Sequence, residues 1–231
     1  ANDFFGRSVS ISEDTVAVGA RGDDDLASNS GSVYVFRQNE GGTDTWGLVA
    51  KITADDGSSE DSFGHSVAIS GDTLVVGAHL NDDHGTNSGS VYVFHRDEGG
   101  LDAWGQVAKL LADDGTEDDE FGISVAIDRD NIVVGAHRDG TYSRGSAYVF
   151  FREDRSPGEW RQVAKITAAD GAAYEFFGRS VSISGDTAVI GSPGINFQFR
   201  GTAYVFQRNH GGSDAWGQVA RLVDLSHGYW E

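Results

Sequence analysis

The sequence predicts an all-β protein of the propeller class, built from four four-stranded blades. The first observation behind this is internal repetition. Phe5-Gly6 recurs as Phe63-Gly64, Phe121-Gly122 and Phe177-Gly178, at spacings of 58, 58 and 56 residues. Gly19-Ala20, Gly77-Ala78, Gly135-Ala136 and Gly191-Ser192 move in step, as do GSVYVF at 31–36 and 89–94, GSAYVF at 145–150 and GTAYVF at 201–206. Trp46, Trp104, Trp160 and Trp216 complete the series. Four markers in fixed order, four times over, are the signature of a repeat architecture. The second observation is a strand with two apolar faces: Val33 and Val35 alternate with Tyr34 and Phe36. Such a strand needs cover on both sides, which stacking each four-stranded sheet between similar sheets supplies.

Within the first copy the strands are expected at Ser8–Ser12, Thr15–Ala20, Ser32–Arg37 and Trp46–Thr53. Alternating Val and Ile mark the first two. A tight turn at Ser12-Glu13-Asp14 joins them, repeated as Ser70-Gly71-Asp72, Asp128-Arg129-Asp130 and Ser184-Gly185-Asp186. A longer polar loop, Arg21–Gly31, joins strands two and three, and Gly-Gly-x-Asp-x-Trp closes the last hairpin in three copies. The approximate repeats are 1–53, 54–111, 112–167 and 168–231, in one domain. Four copies fit a closed four-blade ring or part of a larger, for example seven-bladed, ring. The tail at 222–231 leaves the pattern, which is expected of an array that ends there.

Composition narrows the function. There are 36 acidic residues against 17 basic ones, a net charge of −19. A phosphate-tracking surface needs clustered Lys and Arg, so nucleic acid is excluded as a partner. No apolar run reaches the roughly 18–20 residues that span a bilayer. With no cysteine, disulfides and thiolate metal sites are absent. The chain starts at Ala1 and contains no Met, which suggests a processed product with a removed secretory signal, secreted or held at a cell surface.

Phe-Gly at the head of strand one, with Gly-Ala at the end of strand two, resembles the FG-GAP repeat of integrin α chains and of bacterial and algal extracellular proteins. The resemblance covers essentially the whole chain. It implies the propeller fold and an adhesive or scaffolding role. Repeats of this type often carry an Asp-x-Asp-x-Asp-Gly calcium loop between strands one and two. Here that connection is a two- or three-residue turn, too short to wrap a cation that takes about six to eight oxygens. Calcium is therefore not carried over to that position.

Other acidic loops remain candidates for Ca²⁺: Asp23, Asp24 and Asp25, then Asp82 and Asp83, then Asp113 and Asp114 in an inter-blade link. Acidic turn residues serve equally well as hydrogen-bonding caps that face water. The four tryptophans, each just after a carboxylate, could stack on sugar rings, although a residue repeated in every blade is first of all a packing residue. Arg21-Gly22-Asp23 spells the tripeptide that integrins bind, but in one copy only. His79 and His137 occupy equivalent positions one blade apart, which is expected to separate them. Arg7, His65 and Arg179 follow the Phe-Gly and are expected to face the central channel. Ser8, Ser66, Ser124 and Ser180 recur as backbone partners rather than as four nucleophiles.

Copies differ most in the strand 2–3 loops, where specificity is expected. The residues singled out there are Arg21, Asp23, Asp24, Asp25, His79, Asn81, Asp82, Asp83, His137, Arg138, Asp139, Asn196 and Arg200. The reading is a non-catalytic extracellular module that binds a protein partner or matrix component through that loop face, with a calcium-assisted propeller lectin as the alternative. Fourfold repetition argues against the single asymmetric constellation that an enzyme needs.

Overall fold

Alternating β-branched and aromatic residues, bounded by glycine and Asp turns, dictate short antiparallel strands. The computed structural model describes residues 2–153, 156–194 and 201–224. The first sheet comprises β1 (Ser8–Ser12), β2 (Thr15–Ala20), β3 (Ser32–Gln38) and β4 (Trp46–Ile52). The second comprises β5 (Ser66–Ser70), β6 (Thr73–Ala78), β7 (Ser90–Arg96) and β8 (Trp104–Leu110). The third comprises β9 (Phe121–Asp128), β10 (Asn131–Ala136), β11 (Ser146–Phe151) and β12 (Arg161–Ile166). The fourth comprises β13 (Ser180–Ser184), β14 (Thr187–Ser192), β15 (Thr202–Arg208) and β16 (Trp216–Val223). Each sheet is an antiparallel meander in chain order. Each expected strand of the first copy is present, its end within one residue of the expected one. In the fourth copy β16 runs through Leu222 and Val223, so the repeat extends past the boundary read from sequence.

The sheets stack like propeller blades, with β1 against β5, β5 against β9 and β9 against β13. These first strands therefore line the inner edge. One blade offers small aliphatic side chains and the next answers with aromatics. Val33, Val35 and Ile52 pack on Phe63, Tyr92, Phe94 and Trp104. The joint repeats as Val91, Val93 and Leu110 on Phe121, Tyr148 and Phe150, then as Val149 and Ile166 on Phe177, Tyr204, Phe206 and Trp216. Inside each blade the repeat phenylalanine meets its tyrosine edge to face or tilted, at ring-centroid distances of 5.4 Å in blades two and three and 5.5 Å in blade four.

Hydrogen bonds stitch the same joints. Ser8 Oγ donates to the Gly64 carbonyl, Ser66 Oγ to Gly122 and Ser124 Oγ to Gly178, each at 2.8 Å. These contacts need glycine. A methyl group built on Gly19, Gly77 or Gly135 would collide with the next blade's glycine carbonyl. On the outer side, Gln106, Gln162 and Gln218 accept from the backbone N–H of Asp55, Asp113 and Ala169 in the preceding link.

The two ends of the stack lack these partners. Phe5 is 57% exposed, whereas Phe63 is fully buried. Val9 and Ile11 of β1 are likewise exposed while Val67 and Ile69 of β5 are buried, and Leu222 is exposed at the other end. The described residues thus form an open fan of four blades rather than a closed four-blade ring.

This inequality is testable by urea denaturation. Phe121→Ala is expected to cost about 3–5 kcal/mol, as for other buried phenylalanines. Phe5→Ala, at the open end, should cost less than about 1 kcal/mol.

Candidate functional site

The β2–β3 loop and its equivalents leave from the ends of β2, β6 and β10, on the same side as the inter-blade links. The two are tied together: Ser62 N donates to Asn29 O (3.1 Å) and Glu120 N to Asn87 O (3.0 Å). Loops and links therefore form one continuous face.

The acidic side chains of this face are engaged by lysine. Lys51 Nζ pairs with Asp23 at 2.9 Å and also with Asp25. Lys109 pairs with Asp56 at 2.6 Å and also with Asp83, and Lys165 with Asp114 at 2.6 Å and Asp139 at 2.7 Å. Each lysine lies over the tyrosine of its own blade, 5.0–5.2 Å from the ring centroid of Tyr34, Tyr92 or Tyr148. Those hydroxyls donate to Asp23 (3.0 Å), Asp56 (2.8 Å) and Asp114 (3.0 Å). Burial works to raise the pKa of Asp23, Asp56 and Asp114, but the lysine and tyrosine outweigh it and hold all three carboxyls low. The same burial pushes the Tyr92 and Tyr148 phenols up, with the aspartates reinforcing it.

Of the acids named as calcium candidates, Asp23, Asp25, Asp83 and Asp114 are each paired with an ammonium group. Asp24 and Asp82 accept from the Asn29 and Asn87 backbone N–H, each at 2.8 Å, and Asp113 is exposed. No group of three or more His, Asp or Glu among the described residues is arranged to hold a metal ion. The signal that sequence reading missed is the repeated strand-four cation: Lys51, Lys109, Lys165 and Arg221, the last pairing with Asp170 at 3.1 Å.

The four tryptophans named as a possible sugar platform differ in environment. Trp104 and Trp216 are buried at 8% exposure, and Trp160 donates from Nε1 to the Pro157 carbonyl (2.9 Å) beneath Arg152. Trp46 alone of the four is exposed, because no blade precedes blade one among the described residues. Nor is Arg21-Gly22-Asp23 a displayed tripeptide, since Asp23 is buried on Lys51. Asn81 is also buried, with Nδ2 donating to Asp61 at 3.1 Å and Oδ1 accepting from Ser90 at 2.7 Å. Asn196 and Arg200 lie outside the described residues.

The face also carries two exposed aromatic residues. Tyr142 and Tyr174 are exposed, their rings 6.0 Å apart. Tyr174 N donates to Tyr142 O at 2.7 Å, and both residues are left-handed, with φ of 63° and 61°. They edge a cavity of about 620 Å³ that is also lined by Asp114, Asp118, Asp119 and Arg138.

At the inner edge of the same face lie His65, His79 and His137, the last close enough to His79 to disfavour its protonated form. His65 and His79 stack with ring centroids 3.9 Å apart. Burial lowers the His65 pKa to about 4, with Arg7, Arg21 and Arg179 adding positive charge. Burial lowers His79 to about 2, helped by His65, Arg21, His137 and Arg179. Burial, with Arg179, Arg138 and His65, lowers His137 to about 3. Glu120 is the carboxylate here, 3.1 Å from Arg138 Nε and 3.6 Å from His137 Nδ1, and burial raises its pKa.

Comparison with known proteins bears on this architecture. The profile described as "FG-GAP repeat" matches residues 1–36, 46–94, 104–150 and 160–206. The chain belongs to the FG-GAP repeat family. Each internal match begins on the last strand of one blade and ends on the third strand of the next, so the family unit straddles a joint. The chain is also similar to the crystal structure of Sqt1 from Chaetomium thermophilum, at 17% identity and a TM-score of 0.54. That alignment covers 89% of this chain and 44% of the other, and it concerns the fold alone. The search of characterised proteins found no match. An FG-GAP propeller-like fold marks a binding or scaffold module, and such repeats are typically extracellular. No helix among the described residues is long and apolar enough to cross a membrane.

The histidine cluster predicts a pH dependence. Unfolded histidines titrate near pH 6.5, so below it the unfolded chain binds more protons and stability falls as pH falls toward the folded values. Each histidine contributes at most about 1.4 kcal/mol per pH unit in that window. Glu120 opposes this, and the low carboxyls of Asp23, Asp56 and Asp114 add their loss only below about pH 4. Urea denaturation between about pH 6.5 and 4.5 should show the decline, and His79→Asn should flatten it.

Proposed function

We propose that the chain is a non-catalytic extracellular module that binds a protein partner, in adhesion or complex assembly, through the loop-and-link face. The observation that carries this is the Tyr142–Tyr174 pair beside an acid-lined cavity. Two large amphipathic rings held exposed by backbone hydrogen bonds offer binding area at little entropic cost, and tyrosine is enriched among the residues that dominate interface energies. The surrounding Asp114, Asp118 and Asp119 favour a partner segment bearing Lys or Arg. A non-catalytic role is supported by the repeated serines. Ser8, Ser66 and Ser124 spend their hydroxyls on neighbouring glycine carbonyls.

Selection of a peptide display library on the purified chain tests the proposal. Recovered peptides should be rich in basic residues and should weaken with added salt. They should lose about tenfold or more in affinity on Tyr142→Ala or Tyr174→Ala. Peptides indifferent to both substitutions would refute this site.

A further inference from the structure

The inner-edge cluster has a feature that neither packing nor the loop face accounts for. Buried polar atoms normally find a partner, and each exception calls for an explanation such as an ion or ordered water. Among the described residues, five buried side-chain polar atoms lack a hydrogen bond, and four are in this cluster: Arg21 Nε and the Nδ1 atoms of His65, His79 and His137. His79 and His137 are 6% and 8% exposed.

The charge around them is equally out of balance. Lys51, Lys109 and Lys165 each meet carboxylates. Arg7, Arg21 and Arg179, like Arg129 and Arg144 elsewhere, make no ion pair among the described residues, but here three such charges share one place. All three lie close enough to His65 to disfavour its protonated form. Arg21 is packed against Phe4, its guanidinium carbon 4.8 Å from the ring centroid, and His137 against Phe176 at 5.3 Å.

We propose that this cluster binds a single oxyanion group, a phosphate, sulfate or carboxylate. Neutral imidazoles with an uncommitted Nδ1 adopt whichever tautomer donates a hydrogen bond. The guanidinium groups supply fixed charge and forked donors suited to such an anion. The same guanidinium groups repel a metal cation, and no metal-holding group of ligands exists there among the described residues. Glu120 is occupied by Arg138 at its edge. The site is separate from the tyrosine pair, so its test does not depend on finding a peptide.

Inorganic phosphate and, separately, acetate should be titrated into the intact chain, following imidazole ring protons by NMR and heat by calorimetry. Saturable binding of phosphate at one site is expected, with His65, His79 and His137 resonances moving together. Arg179→Gln removes an exposed side chain and should weaken binding about tenfold without changing stability. Arg129→Gln, in the β9–β10 turn at the opposite end of the strands, should leave it unchanged. Acetate binding alongside phosphate would extend the site to carboxylates, and phosphate alone would restrict it to tetrahedral anions. Absence of saturation, or equal loss from both substitutions, would overturn the proposal.

Discussion

The structure depends on backbone-to-backbone approach between consecutive blades at the Phe-Gly turn. The glycine late in the second strand of one blade and the Phe-Gly glycine of the next come so close that no side chain fits between them. Gly64, Gly122 and Gly178 reach this contact with φ between 84° and 90°, which a residue bearing a Cβ rarely adopts. The serine hydroxyl at the start of the inner strand then donates across the joint. Once that distance is fixed, the phenylalanine beside each glycine drops against the aliphatic face of the preceding blade. The aromatic half of every joint follows from this one constraint.

The second organising principle is the distribution of charge. The chain is strongly acidic, yet its inter-blade aspartates are paired with lysines that also cover a tyrosine ring. Each lysine–aspartate–tyrosine group fastens a link to the blade that follows it, as Lys109, Asp56 and Tyr92 do. Blade one has no preceding link among the described residues, and its own loop aspartate, Asp23, takes the role. Near Arg7, Arg21 and Arg179, the acid that the described residues supply is Glu120. Positive charge is thereby concentrated at the inner edge of a negative molecule.

The open ends repeat the chemistry of the joints. Blade one presents Phe5, Val9, Ile11 and Trp46, the aromatic half, and blade four presents Leu222 from the aliphatic half. Leu48 stands where later blades carry Gln106, Gln162 and Gln218, so the first blade also lacks the acceptor that ties back to a preceding link. Phe5, Val9, Ile11 and Trp46 differ from Phe63, Val67, Ile69 and Trp104 in environment rather than in residue type.

By itself the sequence determined the repeat, the four strands of each copy, the turns between them and the stacking of sheets, because local periodicity and glycine placement encode all of these. It also marked the loops as the variable face. It could not decide which acids were free: Asp23 and Asp139 meet Lys51 and Lys165 only after β4 and β12 have paired, and repetition of a lysine in a strand reads as solvated surface. Likewise Trp104 and Trp46 are the same residue in the same motif, and only the neighbouring blade separates buried from exposed. His79 and His137 look remote at a spacing of 58 residues. Tertiary structure brought them to one inner edge, because stacked blades converge where their first strands meet.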